Sequence, residues 1–203
     1  MQTQKKSKKS IQRQEKIKEV ALKHFLSNGY EATNLKDIVK ESGGSLSSIY
    51  EHYKNKENLF FEIIKEMIRK DEDNIKEIIN TKNDTPQEII FKLATYMVNL
   101  YSNEDNNALM KIVFSQIYNK NSNMITLMKN IDDSNSLKIM KDILSLSKDP
   151  FISNNADLIS HMFFDFLSKH CFFRINIRDT KMTEDEKKDL IEFATTFFTR
   201  LLN

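Results

Sequence analysis

The sequence predicts an all-α protein, and three observations point that way. Only three Gly and two Pro occur in 203 residues, too few for the tight turns that sheets and sandwiches require. Apolar residues recur at helical spacing along most of the chain. Helix-start signatures punctuate the pattern at Asn34, Ser45, Asn55, Thr85-Pro86-Gln87-Glu88 and Thr183-Glu184-Asp185-Glu186. With 39% hydrophobic residues, one or two domains with a real core are expected.

About nine helices follow in order. Ile17, Val20, Ala21 and Phe25 stripe a first helix over about 11–28, ended by Gly29. Asn34 caps a short second helix with Leu35, Ile38 and Val39 inward, and Gly43-Gly44 breaks it. Ser45 caps a third, in which Ile49 and Tyr53 face the core. Asn55 caps a long fourth helix running through Phe60, Ile63, Ile64, Met67 and Ile68 to Ile75, Ile78 and Ile79. The Thr85 capping box opens a fifth carrying Ile90, Leu93, Ala94, Met97 and Tyr101. A sixth is expected over 104–119, with Leu109, Ile112, Val113 and Ile117 inward. A seventh, over 122–147, has a weaker stripe (Ile125, Met128, Ile131, Met140, Ile143, Leu144) and is closed by Pro150. Residues 157–176 are apolar on nearly every side and must be covered all round. The second capping box opens a last helix with Leu190, Ala194, Phe197, Phe198, Leu201 and Leu202.

Charge is distributed unevenly. Residues 1–30 hold eight basic and two acidic side chains, a local +6 within a net +2, which leaves −4 for the rest. Such a cationic front suits a polyanion partner, and the Lys5–Lys9 head would track phosphates. No run of 18 apolar residues and no apolar segment behind the N-terminus suggest a membrane span or a secretory leader. A single cysteine, Cys171, excludes an internal disulfide and fits a reducing cytoplasm.

Two short helices joined by a glycine turn behind a longer helix describe a helix-turn-helix unit. Its second short helix would enter a major groove, with Leu46, Ser47, Ser48, Glu51 and His52 outward. Tyr50, Tyr53, Lys54 and Lys56 fall at the helix end, where phosphates are gripped. Thr33, Asn34, Lys36 and Ser45 complete the candidate DNA-contact set. Residues 13–60, RQEKIKEVALKHFLSNGYEATNLKDIVKESGGSLSSIYEHYKNKENLF, resemble the TetR family of bacterial transcriptional regulators. Gly29-Tyr30, Thr33, Asp37-Ile38, Ser42-Gly43, Ser45, Ile49-Tyr50, His52-Tyr53 and Lys56-Glu57 before Leu59 carry the likeness, over about a quarter of the chain. KIVFSQIYNK (Lys111 to Lys120) is further similar to multidrug-efflux repressors of epsilonproteobacteria.

The resemblance implies a homodimer on a pseudo-palindromic double-stranded DNA operator. It also implies a DNA-binding domain over 1–56 and a ligand-binding and dimerisation domain over 57–203. Family members usually place a small β-branched residue where Gly44 stands, plugging the turn into the core. Gly44 lacks that plug, so the third helix is expected to be frayed until DNA orders it.

An excess of Met and aromatic residues beside small ones makes Leu93, Met97, Met110, Phe114, Ile117, Phe163, Phe164, Leu167 and Cys171 the candidate lining of an apolar effector pocket. Phe166, His170, Phe173, Phe193, Phe197, Phe198 and Leu201 exceed what one small domain needs and form the candidate dimer interface. His161, His170 and Cys171 do not share one helical face, so no metal site is expected, nor any cofactor. Cys171 reads as an apolar filler rather than a redox trigger. Enzymatic chemistry has no frame here: no glycine-rich phosphate loop and no nucleophile elbow occur. The resulting expectation is a repressor released from its operator by an apolar small molecule, controlling a transporter operon. An activator or architectural DNA binder with a filled core, and a helical enzyme or adaptor with a degraded DNA head, are the alternatives.

Overall fold

Ten helices and no strand make up the described residues of the computed structural model, which are 8–117, 125, 134–178 and 180–203. They are α1 (Lys8–Ala32), α2 (Leu35–Ser42), α3 (Leu46–Tyr53), α4 (Lys56–Ile78), α5 (Pro86–Ser102), α6 (Glu104–Ile117), α7 (Asn135–Leu144), α8 (Pro150–Asn154), α9 (Ala156–Asn176) and α10 (Glu184–Arg200). The chain clusters into two units. One holds the described residues of 8–67 and 108–125, the other those of 68–107 and 134–203.

In the first unit Ile17, Val20, Ala21 and Phe25 of α1 meet Ile38 of α2, Ile49 and Tyr53 of α3, and Leu59 and Phe60 of α4 as buried residues. Phe25 and Phe60 pack edge-on with centroids 4.8 Å apart, and Tyr30 closes the cluster at 5.4 Å from Phe60. Gly29 (φ 75°, ψ 174°) does not end α1 in the left-handed helical region as expected. It bends the chain in an extended conformation almost reserved for glycine, and one further turn follows it.

In the second unit α5 packs on α9 and α10, and α9 also packs on α7. Leu93, Phe163, Leu167 and Cys171 lie fully buried in this core, with Phe198 set edge-on to Phe163 at 5.0 Å. Both capping boxes form as the sequence predicts. Thr85 Oγ1 accepts from the Glu88 N–H while Glu88 accepts from the Thr85 N–H at 2.7 Å. Thr183 and Glu186 repeat the pattern.

The expected helix over 122–147 is not continuous. Ser134 is extended (φ −65°, ψ 147°) and caps α7, its hydroxyl accepting from the Leu137 N–H. The predicted positions Met128 and Ile131 lie outside the described residues, as do residues 118–119 at the end of the expected sixth helix. Pro150 does not close that helix but opens α8 as its first residue, with Asp149 as cap. Proline reads as a terminator or a starter from sequence alone, and the preceding Asp decides for the latter. Among the described residues, no helix is long and apolar enough to cross a membrane.

Candidate nucleic-acid interface

The reading unit is built from caps. Asn34 Oδ1 accepts from the Lys36 N–H at 2.9 Å and starts α2. Gly43 takes φ 72° and ψ 23°, a left-handed C-terminal cap that L side chains adopt only at a cost. Its N–H and that of Gly44 both donate to the Val39 carbonyl, at 3.1 and 3.2 Å. Ser45 Oγ then accepts from the Ser48 N–H at 3.1 Å, so α3 starts two residues after the turn.

The two glycines therefore do different work. Gly43 supplies a backbone conformation. Gly44 does not adopt a positive φ, and a Cβ there would stand 3.8 Å from Ile17 Cδ1, an ordinary contact. In this structure α3 runs unbroken from Leu46 to Tyr53 and is hydrogen-bonded at both ends. Ile49 is wholly buried and anchors α3 in the core of this unit.

Ser47, Tyr50 and Glu51 are exposed at i, i+3 and i+4, one continuous face of α3, and Lys54 is exposed at its C-terminal cap. Tyr50 is 52% exposed. Leu46, Ser48 and His52 are half-buried along its edge, and Ser45 and Lys36 are exposed beside it. His52 lies against the Gln14 amide of α1. Lys54 is the only non-glycine residue at positive φ among the described residues (66°), and the Asn55 N–H turns back to the Tyr53 carbonyl at 2.8 Å. That tight turn separates α3 from α4, which Asn55 Oδ1 caps through the Asn58 N–H.

Three of the sequence-predicted contacts serve the scaffold. Thr33 is buried, its hydroxyl donating to the Gly29 and His24 carbonyls. Tyr53 is buried, and burial raises its phenol above the ordinary value of 10.0. The Lys56 ammonium donates to the carbonyls of Tyr30 (2.7 Å), Thr33 (3.1 Å) and Glu31 (3.2 Å) and sits 4.5 Å over the Tyr30 ring. It ties off the end of α1 rather than facing solvent. Helical spacing had already turned Tyr53 towards the core, whereas nothing local marks which way Thr33 and Lys56 turn.

It also passed over two features. Exposed Arg13 reaches from α1 to the Gly43 carbonyl at 3.4 Å, adding a cation beside the turn. Glu41 of α2 bonds both Lys23 (2.7 Å) and His24 (2.9 Å) of α1, and the Lys23 bond is the main cause holding its carboxyl below the ordinary 4.5. The signal for the first was the cation itself, whereas the second joins residues 17 and 18 positions apart. Of the basic head, Lys5 and Lys6 lie outside the described residues, and Lys9 is exposed.

In the second unit, five of the candidate pocket residues (Leu93, Met97, Phe163, Leu167 and Cys171) are buried in the core and Phe164 is packed against it. The other three belong to the first unit: Met110 and Ile117 are half-buried on α6, and Phe114 is 37% exposed there. Burial pushes the Cys171 thiol up to about 11, so it stays protonated and behaves as an apolar filler. Of the candidate interface residues, Phe173, Phe193 and Phe197 are at least half exposed, and His170 is exposed. Phe166 and Leu201 are half-buried, while Phe198 is a core residue. Leu158, Met162 and Ile177 extend the exposed strip along α9.

A helix-turn-helix ahead of a larger all-helical domain is the TetR-like fold. Residues 17–63 match the family model of the bacterial regulatory proteins, tetR family. The chain is 50% identical over 50 residues to the HTH-type transcriptional regulator QacR of Staphylococcus aureus. That stretch is 25% of this chain and spans only 27% of QacR. Solved structures resemble the chain over nearly its whole length. A TetR-family transcriptional regulator of Mesorhizobium loti superposes with TM-score 0.72 at 17% identity, over 97% of this chain and 98% of that one. FadR of Bacillus subtilis, solved in complex with stearoyl-CoA, gives 0.67 at 17% identity, over 93% and 97%. Identity this low speaks for the fold alone.

Proposed function

We propose that the protein is a homodimeric, DNA-binding transcriptional repressor that leaves its operator when an apolar small molecule binds. One observation carries the DNA-binding part: a capped α3 presents Ser47, Tyr50 and Glu51 as one solvent face with exposed Lys54 at its end, within the segment that matches the tetR family. Ser47 is small enough for close approach. Tyr50 and Lys54 suit the sugar-phosphate walls, and Glu51 suits the exposed amino group of a cytosine. A carboxylate repels phosphate, so Glu51 weakens indiscriminate binding and sharpens choice of sequence.

Pairing follows from the exposed apolar strip of α9 and α10, whose large side chains a soluble monomer leaves in water at a cost. Phe166, Phe193 and Phe197 stack along it with centroids 5.8 and 6.0 Å apart. A second copy covers the strip and supplies the second reading head that a two-fold operator needs. The excess of buried Met and aromatic side chains in the second unit supports an apolar effector, and the Lys111–Lys120 resemblance supports a transporter operon as the target.

The test is fluorescence anisotropy with a labelled duplex from upstream of the protein's own reading frame. Saturable, sequence-selective binding is expected, with a log–log salt slope of about 0.9 for each phosphate neutralised. Glu51→Gln should raise affinity for unrelated duplexes and narrow the preference. Equal binding to every duplex, or a monomer in sedimentation, ends this reading.

A further inference from the structure

The solvent face of α5 carries a groove that the sequence did not announce. It encloses about 470 Å³ between the end of α4, α5 and the start of α6, a volume in the range of small-molecule sites. Ile78 and Phe91, 40% and 49% exposed, stand at its mouth, and Tyr96 and Leu100 complete the apolar wall. None of the nine candidate pocket residues lines it. Those of α5, Leu93 and Met97, point to the opposite side of the helix, into the filled core.

Four of the polar residues along the groove, Lys92, Thr95, Tyr96 and Asn106, have side-chain partners within the protein. Tyr96 Oη donates to Asp71 Oδ1 at 2.7 Å and accepts from Asn74 Nδ2 at 3.2 Å, so the ring is held at its far end. The Lys92 ammonium is 2.7 Å from Asp84, whose carboxyl it holds below the ordinary 3.8. Thr95 Oγ1 donates to the Phe91 carbonyl at 2.8 Å, and Asn106 Nδ2 to the Leu100 carbonyl at 2.9 Å. What these residues present to the groove is largely carbon: a ring face, a methylene stem, a methyl group. The one cation is matched by its own carboxylate. A charged occupant would find no unmatched opposite charge and would lose hydration for little return, whereas an uncharged apolar molecule gains by covering Phe91 and Ile78. Since Tyr96 is already fixed, binding costs little further ordering of that wall.

We propose that this groove binds an uncharged, mainly apolar small molecule against Phe91 and the tethered ring of Tyr96. Its role as the effector site rests on the ligand-released repressor reading above. The groove itself does not, because filling it needs no opening of the core.

Nile red, an uncharged apolar dye that brightens out of water, is the probe. Titrating it into the full-length protein should give saturable binding at one dye per chain. Phe91→Ala should weaken that binding about tenfold, as half-covered aromatic area is lost, with thermal unfolding unchanged because Phe91 is half exposed. Tyr96→Phe should weaken it severalfold although it makes the groove more apolar, since it frees the ring. A wall acting by apolarity alone would not respond that way. Absence of saturable binding overturns the proposal, and so does wild-type affinity in both variants. Repeating the anisotropy assay with dye separates the two readings. Dye held by wild type and lost by Phe91→Ala, without any effect on DNA affinity, upholds the groove and ends the release model. DNA release that persists in Phe91→Ala upholds release and overturns the groove.

Discussion

From Asn34 to Asn58 the chain spends its short polar side chains on neighbouring backbone groups, whereas α5, α9 and α10 are joined chiefly by apolar surface. In the first region Asn34, Ser45, Asn55 and Lys56 each bind main-chain atoms, and two eight-residue helices depend on them. Helices that short are marginal without such ends. In the second region, helices of 17 and 21 residues meet through Leu93, Phe163, Leu167, Ala194 and Phe198. The difference is one of address. Caps act at fixed positions and tolerate few replacements, while a core accepts many side chains of similar volume.

Breaking the core should have the largest effect. Phe163→Ala removes a fully buried ring that packs against Phe164 and Phe198, and should cost about 3–5 kcal/mol in denaturant unfolding. The turn should respond less, and its two glycines in opposite directions. Gly43→Ala places an L side chain at φ 72°, which should cost about 1–2 kcal/mol. Gly44→Ala meets only ordinary contacts and should stabilise the unit by about 0.4–1 kcal/mol, through lower entropy of the unfolded chain. Equal losses at both positions would show that Gly44 also needs its freedom.

Acid should produce the smallest change. Glu88 and Glu186 are held below the ordinary 4.5, in each case chiefly by the backbone N–H of the capping threonine. Carboxyls with lowered folded-state values add stability that is complete above 4.5 and disappears as pH falls through the depressed value. The thermal midpoint should therefore decline below pH 4.5, less steeply in Glu88→Gln with Glu186→Gln. An unchanged pH profile in that double variant would remove the capping boxes from the acid response.

The helix starts were legible because their causes are local. A Thr with Glu three residues on, or a Ser after a glycine turn, brings donor and acceptor together whatever lies elsewhere. The break at Ser134 was not legible, since Ser is unremarkable inside a weak apolar stripe. The outward face of α3 was readable at Ser47 and Glu51 and its inward side at Tyr53, but Thr33 and Lys56 turned inward without a local sign. Lys56 binds carbonyls 23 to 26 residues away, and no periodicity encodes such a reach.

By itself, then, the sequence determined the helical class, the capped reading helix and the stripes that build the core, because each depends on neighbours within one or two turns. Tertiary structure alone decided which polar groups were consumed, which apolar side chains stayed in water and where α5 carries its groove. Those outcomes depend on distant residues meeting: Asp71 and Asn74 tether Tyr96, and Glu41 reaches Lys23 and His24. A hydrogen bond between separate helices forms only once packing has set their distance, so residue order alone cannot announce it.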